Sequence, residues 1–195
     1  MLLSAYGSGV FPWFNEGEPV LWWNPDPRCV IRPEKIHVSK RMRRRIKSAE
    51  FHVESDSCFE EVIRNCANIK RRHEDGTWIN EEMIDAYCAL HKLGYAHSIE
   101  VFQGEELAGG LYGISLGRCF FGESMFSKTA DASKTALISL ARASIDIGIE
   151  LIDCQLTTDH LLSLGAEEIS RDSYLAELES LLKYPDKRGI WNIFQ

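Results

Sequence analysis

No run of about 18 apolar residues interrupts this 195-residue chain, so no membrane-spanning helix is expected. The opening MLLSAYGSGVFPWF has no basic stretch ahead of an apolar core, which excludes a readable secretory signal. The six cysteines (29, 58, 66, 88, 119 and 154) include no C-x-x-C pair, so the common zinc and dithiol spacings are missing. Spread this way, they read as buried free thiols in a reducing, cytoplasmic compartment. The histidines (37, 52, 73, 91, 97 and 160) form neither H-x-x-x-H nor H-E-x-x-H, and no metal site is read from them. There is no G-x-S-x-G elbow, no Walker-type loop, no internal repeat and no low-complexity tract.

What is there is an ordinary globular composition, 45% hydrophobic and 26% charged, enough for one sizeable core. The net charge of −7 hides an asymmetry. Between Arg28 and Lys47 stand Arg28, Arg32, Lys35, Lys40, Arg41, Arg43, Arg44, Arg45 and Lys47, opposed by Glu34 alone. Two readings are open: a local contact with a polyanion, or a solvated basic helix face with no ligand.

Residues 1–27 are rich in aromatics, glycine and proline and read as a small aromatic-rich N-terminal subdomain. Residues 28–195 read as the main domain. Strands are expected at Cys29–Arg32, Phe51–Glu54, Ser98–Phe102, Leu107–Ser115, Arg118–Met125 and Leu151–Gln155. Helices are expected at Ser39–Ser48, Phe59–Ala67, Asn80 to just before Gly94, Ser133–Ile147, from about Thr158, and at Tyr174–Leu182. Lys70–Gly76 reads as a polar loop. The fold class is therefore α/β (α+β). The element order, with HLLSLGAEE after the last central strand, resembles the Gcn5-related N-acyltransferase-like fold. The junction Phe126–Ser133 has no glycine and contains Asp131, which argues against a coenzyme A pyrophosphate and for another acyl donor.

Two carboxylates stand out. Glu123 sits in the apolar run FFGESMF, and Asp153 in the short strand LIDCQ. Gln155, two residues on, shares a sheet face with Asp153. They are either a site or a satisfied buried pair that holds the sheet together. Trp13, Trp22, Trp23 and Trp78 stand beside charge, where they either stack on bases or pack a core. Leu111, Phe120, Phe121 and Met125 are core or the wall of an apolar pocket.

These segments together carry a resemblance. LLSAYGSGVFPWF, LWWNPDPR, KIHVSKRMRR, GTWI, LGYAHSIEVF, LAGGLYG, FFGESMFSKTADASKTAL, LIDCQ and HLLSLGA run in the order found in the leucyl/phenylalanyl-tRNA–protein transferases. The chain resembles that family from about Leu2 to Tyr174. The resemblance implies that an acceptor protein's α-amine attacks the ester joining leucine or phenylalanine to the 3′ adenosine of tRNA. The acceptor begins with Arg or Lys, the added residue marks it for degradation, and no cofactor is needed because the ester is already activated. Asp153 and Gln155 match the catalytic positions, with Gln155 orienting the amine and Asp153 polarising that arrangement. Glu123 matches a further acidic position that, with Asp153, would hold the acceptor's cationic side chain. Tyr87, Leu111 and Phe120 match the aminoacyl pocket, and Trp13 and Trp78 the neighbourhood of the adenosine. Lys40, Arg41, Arg43, Arg44, Arg45 and Lys47 match the tRNA-facing surface.

The family usually carries further residues ahead of LLSAY, so the N-terminal subdomain is expected to be shortened here. Two rivals remain: an acyltransferase of the same fold using a coenzyme A thioester, and a noncatalytic tRNA-binding module.

Overall fold

The computed structural model describes residues 1–14, 18–69 and 78–194. The loop expected at Lys70–Gly76 lies outside them. The chain opens with α1 (Leu2–Gly7) and a small antiparallel pair, β1 (Phe11–Pro12) with β2 (Trp22–Trp23). There follow β3 (Arg28–Ile31), α2 (Lys40–Lys47), β4 (His52–Ser55), α3 (Phe59–Ala67) and α4 (Glu81–Lys92). Next come β5 (Ala96–Gln103), β6 (Glu106–Leu116), β7 (Cys119–Ser127), α5 (Ala132–Ile147) and β8 (Leu151–Gln155). The described chain closes with α6 (Asp159–Ser163), β9 (Glu167–Ile169) and α7 (Arg171–Leu181).

Local chemistry sets these boundaries. Ser39 and Asn80 accept from the backbone N–H three residues on at 3.2 and 3.0 Å, and Thr158 and Ser170 do the same for α6 and α7. Each such cap contributes about 1 kcal/mol. Gly148 ends α5 in the left-handed conformation, at φ 76°. Two stretches differ from expectation. Leu2–Gly7 is helical inside the segment read as irregular, because Tyr6 anchors one face of it in the core. Glu167–Ile169 is a strand rather than a helix continuation. Gly165, at φ 93°, stops α6 and the chain then pairs with Arg28–Val30.

The architecture is a mixed α/β layering around a seven-stranded sheet in the order β4-β5-β6-β7-β8-β3-β9. One face is covered by α1, α3, α4 and α7 through Tyr6, Phe59, Ile63, Tyr87 and Leu178. The other is covered by α2 and α5 through Met42, Ala136, Leu137 and Leu140. The antiparallel run β5–β6–β7 is the expected meander. α5 then carries the chain across to β8, which lies parallel to β7.

That parallel pair positions the site. Its register runs Cys119↔Leu151, Phe120↔Ile152, Phe121↔Asp153 and stops there. β7 continues from Gly122 to Ser127 paired with β6 alone. The strands splay, and a cleft opens in the sheet where ladder hydrogen bonds end.

Candidate active site

The cleft has a volume of about 730 Å³ and lies in the splay, with Glu123 and Met125 on the β7 side and Cys154 and Gln155 on the β8 side. Trp13, Trp78, Leu111 and Phe120 line it, and Ser127, Ser133, Thr158 and His160 add polar groups. Its lining is mostly apolar with few convergent polar groups, the usual character of a ligand site.

At the end of β8 the backbone departs from strand geometry. Gln155 has φ 65°, a left-handed conformation rare for a side chain of this kind. Its N–H donates to Asp153 Oδ1 at 2.9 Å, which holds the turn. Its Nε2 donates to Glu123 Oε1 at 2.8 Å, which fixes the amide plane. The Gln155 side-chain carbonyl oxygen makes no hydrogen bond to the described residues and remains as an acceptor. Asp153, Gln155 and Glu123 thus come together, as the shared-face reading required.

Glu123 is nearly enclosed, 9% exposed, and pairs with no cation among the described residues. Tyr87 Oη donates to its Oε2 at 2.8 Å, and Tyr87 and Tyr6 share a hydrogen bond of 2.5 Å. Burial pushes the Glu123 pKa up to about 7; hydrogen bonds from Tyr6 and Tyr87 restrain the rise, while the charge of Asp153 adds to it. Burial and the same carboxylate hold both phenols well above their ordinary range, so they stay protonated.

Asp153 requires a correction. It is fully buried and does not face the cleft. Arg28 donates to both its oxygens, Nε to Oδ1 at 2.8 Å and Nη2 to Oδ2 at 2.7 Å, and Tyr174 Oη donates to Oδ2 at 2.8 Å. The guanidinium lies between the rings of Phe11 and Tyr174, 4.8 and 4.5 Å from their centroids. Burial works against its charge, but Asp153 outweighs burial and the Arg28 pKa lies above its ordinary value. A carboxylate so engaged has no free edge for an acceptor's cation. Its contact with the site is the Gln155 N–H. Tyr87 is likewise moved: it lies behind Glu123, fully buried, rather than in the pocket wall.

The basic stretch divides. Arg28 is in the core, and Arg32 pairs with Glu167 and Glu177. On α2, Arg41 pairs with Asp131 at the start of α5, which spends the aspartate's charge, and Arg45 pairs with Glu50. Arg43 Nε donates to Val38 O. Lys40, Arg44 and Lys47 are exposed. Sequence reading missed Arg28, Tyr6 and Tyr174 as site-building residues. The available signal was that Arg28 abuts CVI, an apolar run that an exposed arginine would not begin. Among the described residues no group of three or more His, Cys, Asp or Glu side chains could hold a metal ion, and no helix is long and apolar enough to cross a membrane.

Comparison with known proteins supplies the last observations. The family model described as leucyl/phenylalanyl-tRNA protein transferase matches residues 30–179, and that of the N-terminal domain of the same family matches residues 1–26. A protein of Anaeromyxobacter sp. (strain Fw109-5) named leucyl/phenylalanyl-tRNA--protein transferase is 51% identical over 192 residues, covering 98% of this chain and 82% of that protein. One of the same name from Chromobacterium violaceum is 49% identical over 191 residues, covering 98% and 82%. A solved structure, of a functionally unknown conserved protein from Staphylococcus epidermidis ATCC 12228, is 8% identical over 69% of this chain and 65% of that one, with a TM-score of 0.42, too slight a likeness to bear on the fold.

Proposed function

The chain belongs to the leucyl/phenylalanyl-tRNA–protein transferase family and is an aminoacyltransferase, and from that premise we propose that transfer runs in the cleft between β7 and β8, with Gln155 orienting the attacking amine. The observation that carries this reading is the left-handed Gln155, its amide clamped to Glu123 at the edge of an apolar cleft.

The leucyl or phenylalanyl side chain fits against Leu111 and Phe120, where charged side chains would lose their hydration. Trp13 and Trp78 supply faces for the terminal adenosine. The acceptor's neutral α-amine donates to the Gln155 side-chain carbonyl oxygen, which points its lone pair at the ester carbon. The N–C bond forms as the ester C–O bond breaks, and the tRNA 3′ oxygen leaves with the amine's proton. Glutamine is a poor base, so placement rather than proton abstraction is its contribution. Asp153, locked by Arg28 and Tyr174, is a positioning residue that keeps Gln155 in its left-handed conformation. Among the described residues of the cleft, Glu123 offers negative charge to the N-terminal Arg or Lys side chain of the acceptor. The exposed cations of α2 meet acceptor-stem phosphates without reading sequence.

The finer assignments belong to the same reading. They are a Gcn5-related N-acyltransferase-like catalytic domain at residues 28–195, a small N-terminal subdomain at 1–27, action in the cytoplasm, and N-degron tagging as the outcome. The test is incubation with labelled Phe-tRNA and an Arg-starting peptide. Label is expected on the peptide, lost in Gln155→Ala with tRNA binding kept. Retained transfer in Gln155→Ala would remove the mechanism, and tight acetyl coenzyme A binding would favour the thioester rival.

A further inference from the structure

Cys29 and Cys154 are not used by the mechanism above, yet they meet at its edge. β3 and β8 are antiparallel, with Val30 opposite Asp153 and Cys29 opposite Gln155. The register slips between those pairs, so Cys154 is the extra residue of a bulge and faces Cys29. Both side chains belong to the core on the α5 side of the sheet. The Cys154 thiol donates to Ile152 O at 3.8 Å and the Thr157 hydroxyl donates to Glu168 Oε1, so neither proton is committed to the Cys29 sulfur beside them. Cys29 is fully buried, whereas Cys154 is partly exposed and lines the cleft between Asp153 and Gln155. One sulfur is therefore open to whatever enters the cleft, and the second waits behind it.

We propose that Cys29 and Cys154 form a reversible oxidation site, whose disulfide shuts down transfer by displacing Gln155. This rests on the reading of Gln155 given above. The oxidant is a hydroperoxide. Its distal oxygen goes to Cys154 to give a sulfenic acid, and the alcohol, or water in the case of hydrogen peroxide, leaves. The Cys29 sulfur then attacks the Cys154 sulfur. The S–S bond forms, the S–O bond breaks, and hydroxide takes the Cys29 proton away as water. Two electrons pass from the thiols to the peroxide. Access sets the order: the Cys154 sulfur meets the cleft and Cys29 stands buried behind it, while the Cys29 contact and burial raise the Cys154 pKa well above its ordinary value, so the first step is the slow one. Drawing the two sulfurs together into a bond of ~2.05 Å must be absorbed by the strand ends. β8 yields, because its bulge is unpaired and its next residue is the left-handed Gln155.

The experiment treats the protein with hydrogen peroxide, blocks remaining thiols with N-ethylmaleimide, maps linked peptides by mass spectrometry, and measures transfer before oxidation, after it, and after dithiothreitol. The expected result is a Cys29–Cys154 linked peptide with transfer reduced about tenfold or more and restored by dithiothreitol. Cys29→Ala is expected to keep its reduced activity and escape the reversible loss; Cys29→Val serves if alanine leaves a damaging void. No linked peptide, a linked protein with undiminished transfer, or equal reversible loss in the Cys29 variants would each overturn the proposal. A reduced protein without transfer activity would instead sink the functional reading, while the mass measurement still decides whether the disulfide forms.

Discussion

The two neighbours of β8 treat a carboxylate in opposite ways. Away from the cleft, beside β3 and α7, Asp153 meets a guanidinium, a phenol and a backbone N–H, and its charge is answered in full. Toward the cleft, Glu123 has two hydroxyl-bearing neighbours and an amide but, among the described residues, no cation, and burial raises its pKa to about 7. The two residues lie on neighbouring strands and share a sheet face, since Asp153 pairs with Phe121. The difference is the partner, not the depth. A buried charge with a matched cation becomes architecture, and one held by neutral donors stays near its titration point and available to a ligand.

Removing the cation beside Asp153 tests that contrast most severely. Arg28→Met leaves Asp153 buried and unpaired, at an expected cost of about 3–5 kcal/mol in urea unfolding. Adding Asp153→Leu should recover much of the loss in stability but none in transfer, because the Gln155 N–H then has no acceptor. A loss below about 1 kcal/mol for Arg28→Met would show that the pair is not what holds β3 to β8.

Gln155→Gly separates catalysis from stability on the cleft side. Transfer should fall by about 10²–10³, comparable to loss of a well-placed polar group. Relief of the left-handed conformation offsets the missing hydrogen bond to Glu123, so unfolding free energy should stay within about 1 kcal/mol of the parent. A large destabilisation would return Gln155 to structure.

Glu123→Gln sharpens the contrast through pH. Below about 4.5 the carboxyl is protonated both folded and unfolded, and it costs nothing. Between there and about 7 the unfolded chain releases its proton while the folded protein keeps it, so stability falls as pH rises. The penalty is then constant at up to about 3 kcal/mol. Relative to the parent, Glu123→Gln should gain stability across that window, read as a difference in Tm between about pH 5 and pH 8. A pH-independent difference would mean that Glu123 carries no raised pKa.

Much of the cleft side was legible and little of what lies behind it. Asp153 and Gln155 announce themselves as polar residues two apart in a short apolar strand, and Glu123 as an acid among phenylalanines. Alternation then puts all three on one face. Arg28 did not announce itself, because a run of like charges reads as a surface and sequence does not tell which member turns inward. Tyr6, Tyr87 and Tyr174 fit helical apolar faces, and only the folded arrangement directs their hydroxyls to carboxylates. Glu167–Ile169 was missed as a strand because its pairing partner lies far away in sequence, near Arg28.

The smallest effect concerns α2, where the same rule applies on the surface. Met42 is buried and Ser39 caps the helix, so the fold needs this segment whether or not it has a ligand. Arg41 and Arg45 are answered by Asp131 and Glu50, and the Arg45 guanidinium lies 4.7 Å over Phe51. Lys40, Arg44 and Lys47 are the exposed cations free to meet phosphate. Replacing all three with Glu should change unfolding by no more than about 0.5 kcal/mol. It should also raise the KM for Phe-tRNA and flatten its dependence on salt, by about 0.9 in logarithmic slope for each phosphate that is no longer neutralised. The same change at Arg41 and Arg45 should instead cost stability, because it strands Asp131 and Glu50. An unaltered salt slope in the Lys40, Arg44 and Lys47 variant would put the tRNA on another surface, and α2 would then be a basic face that serves the fold alone.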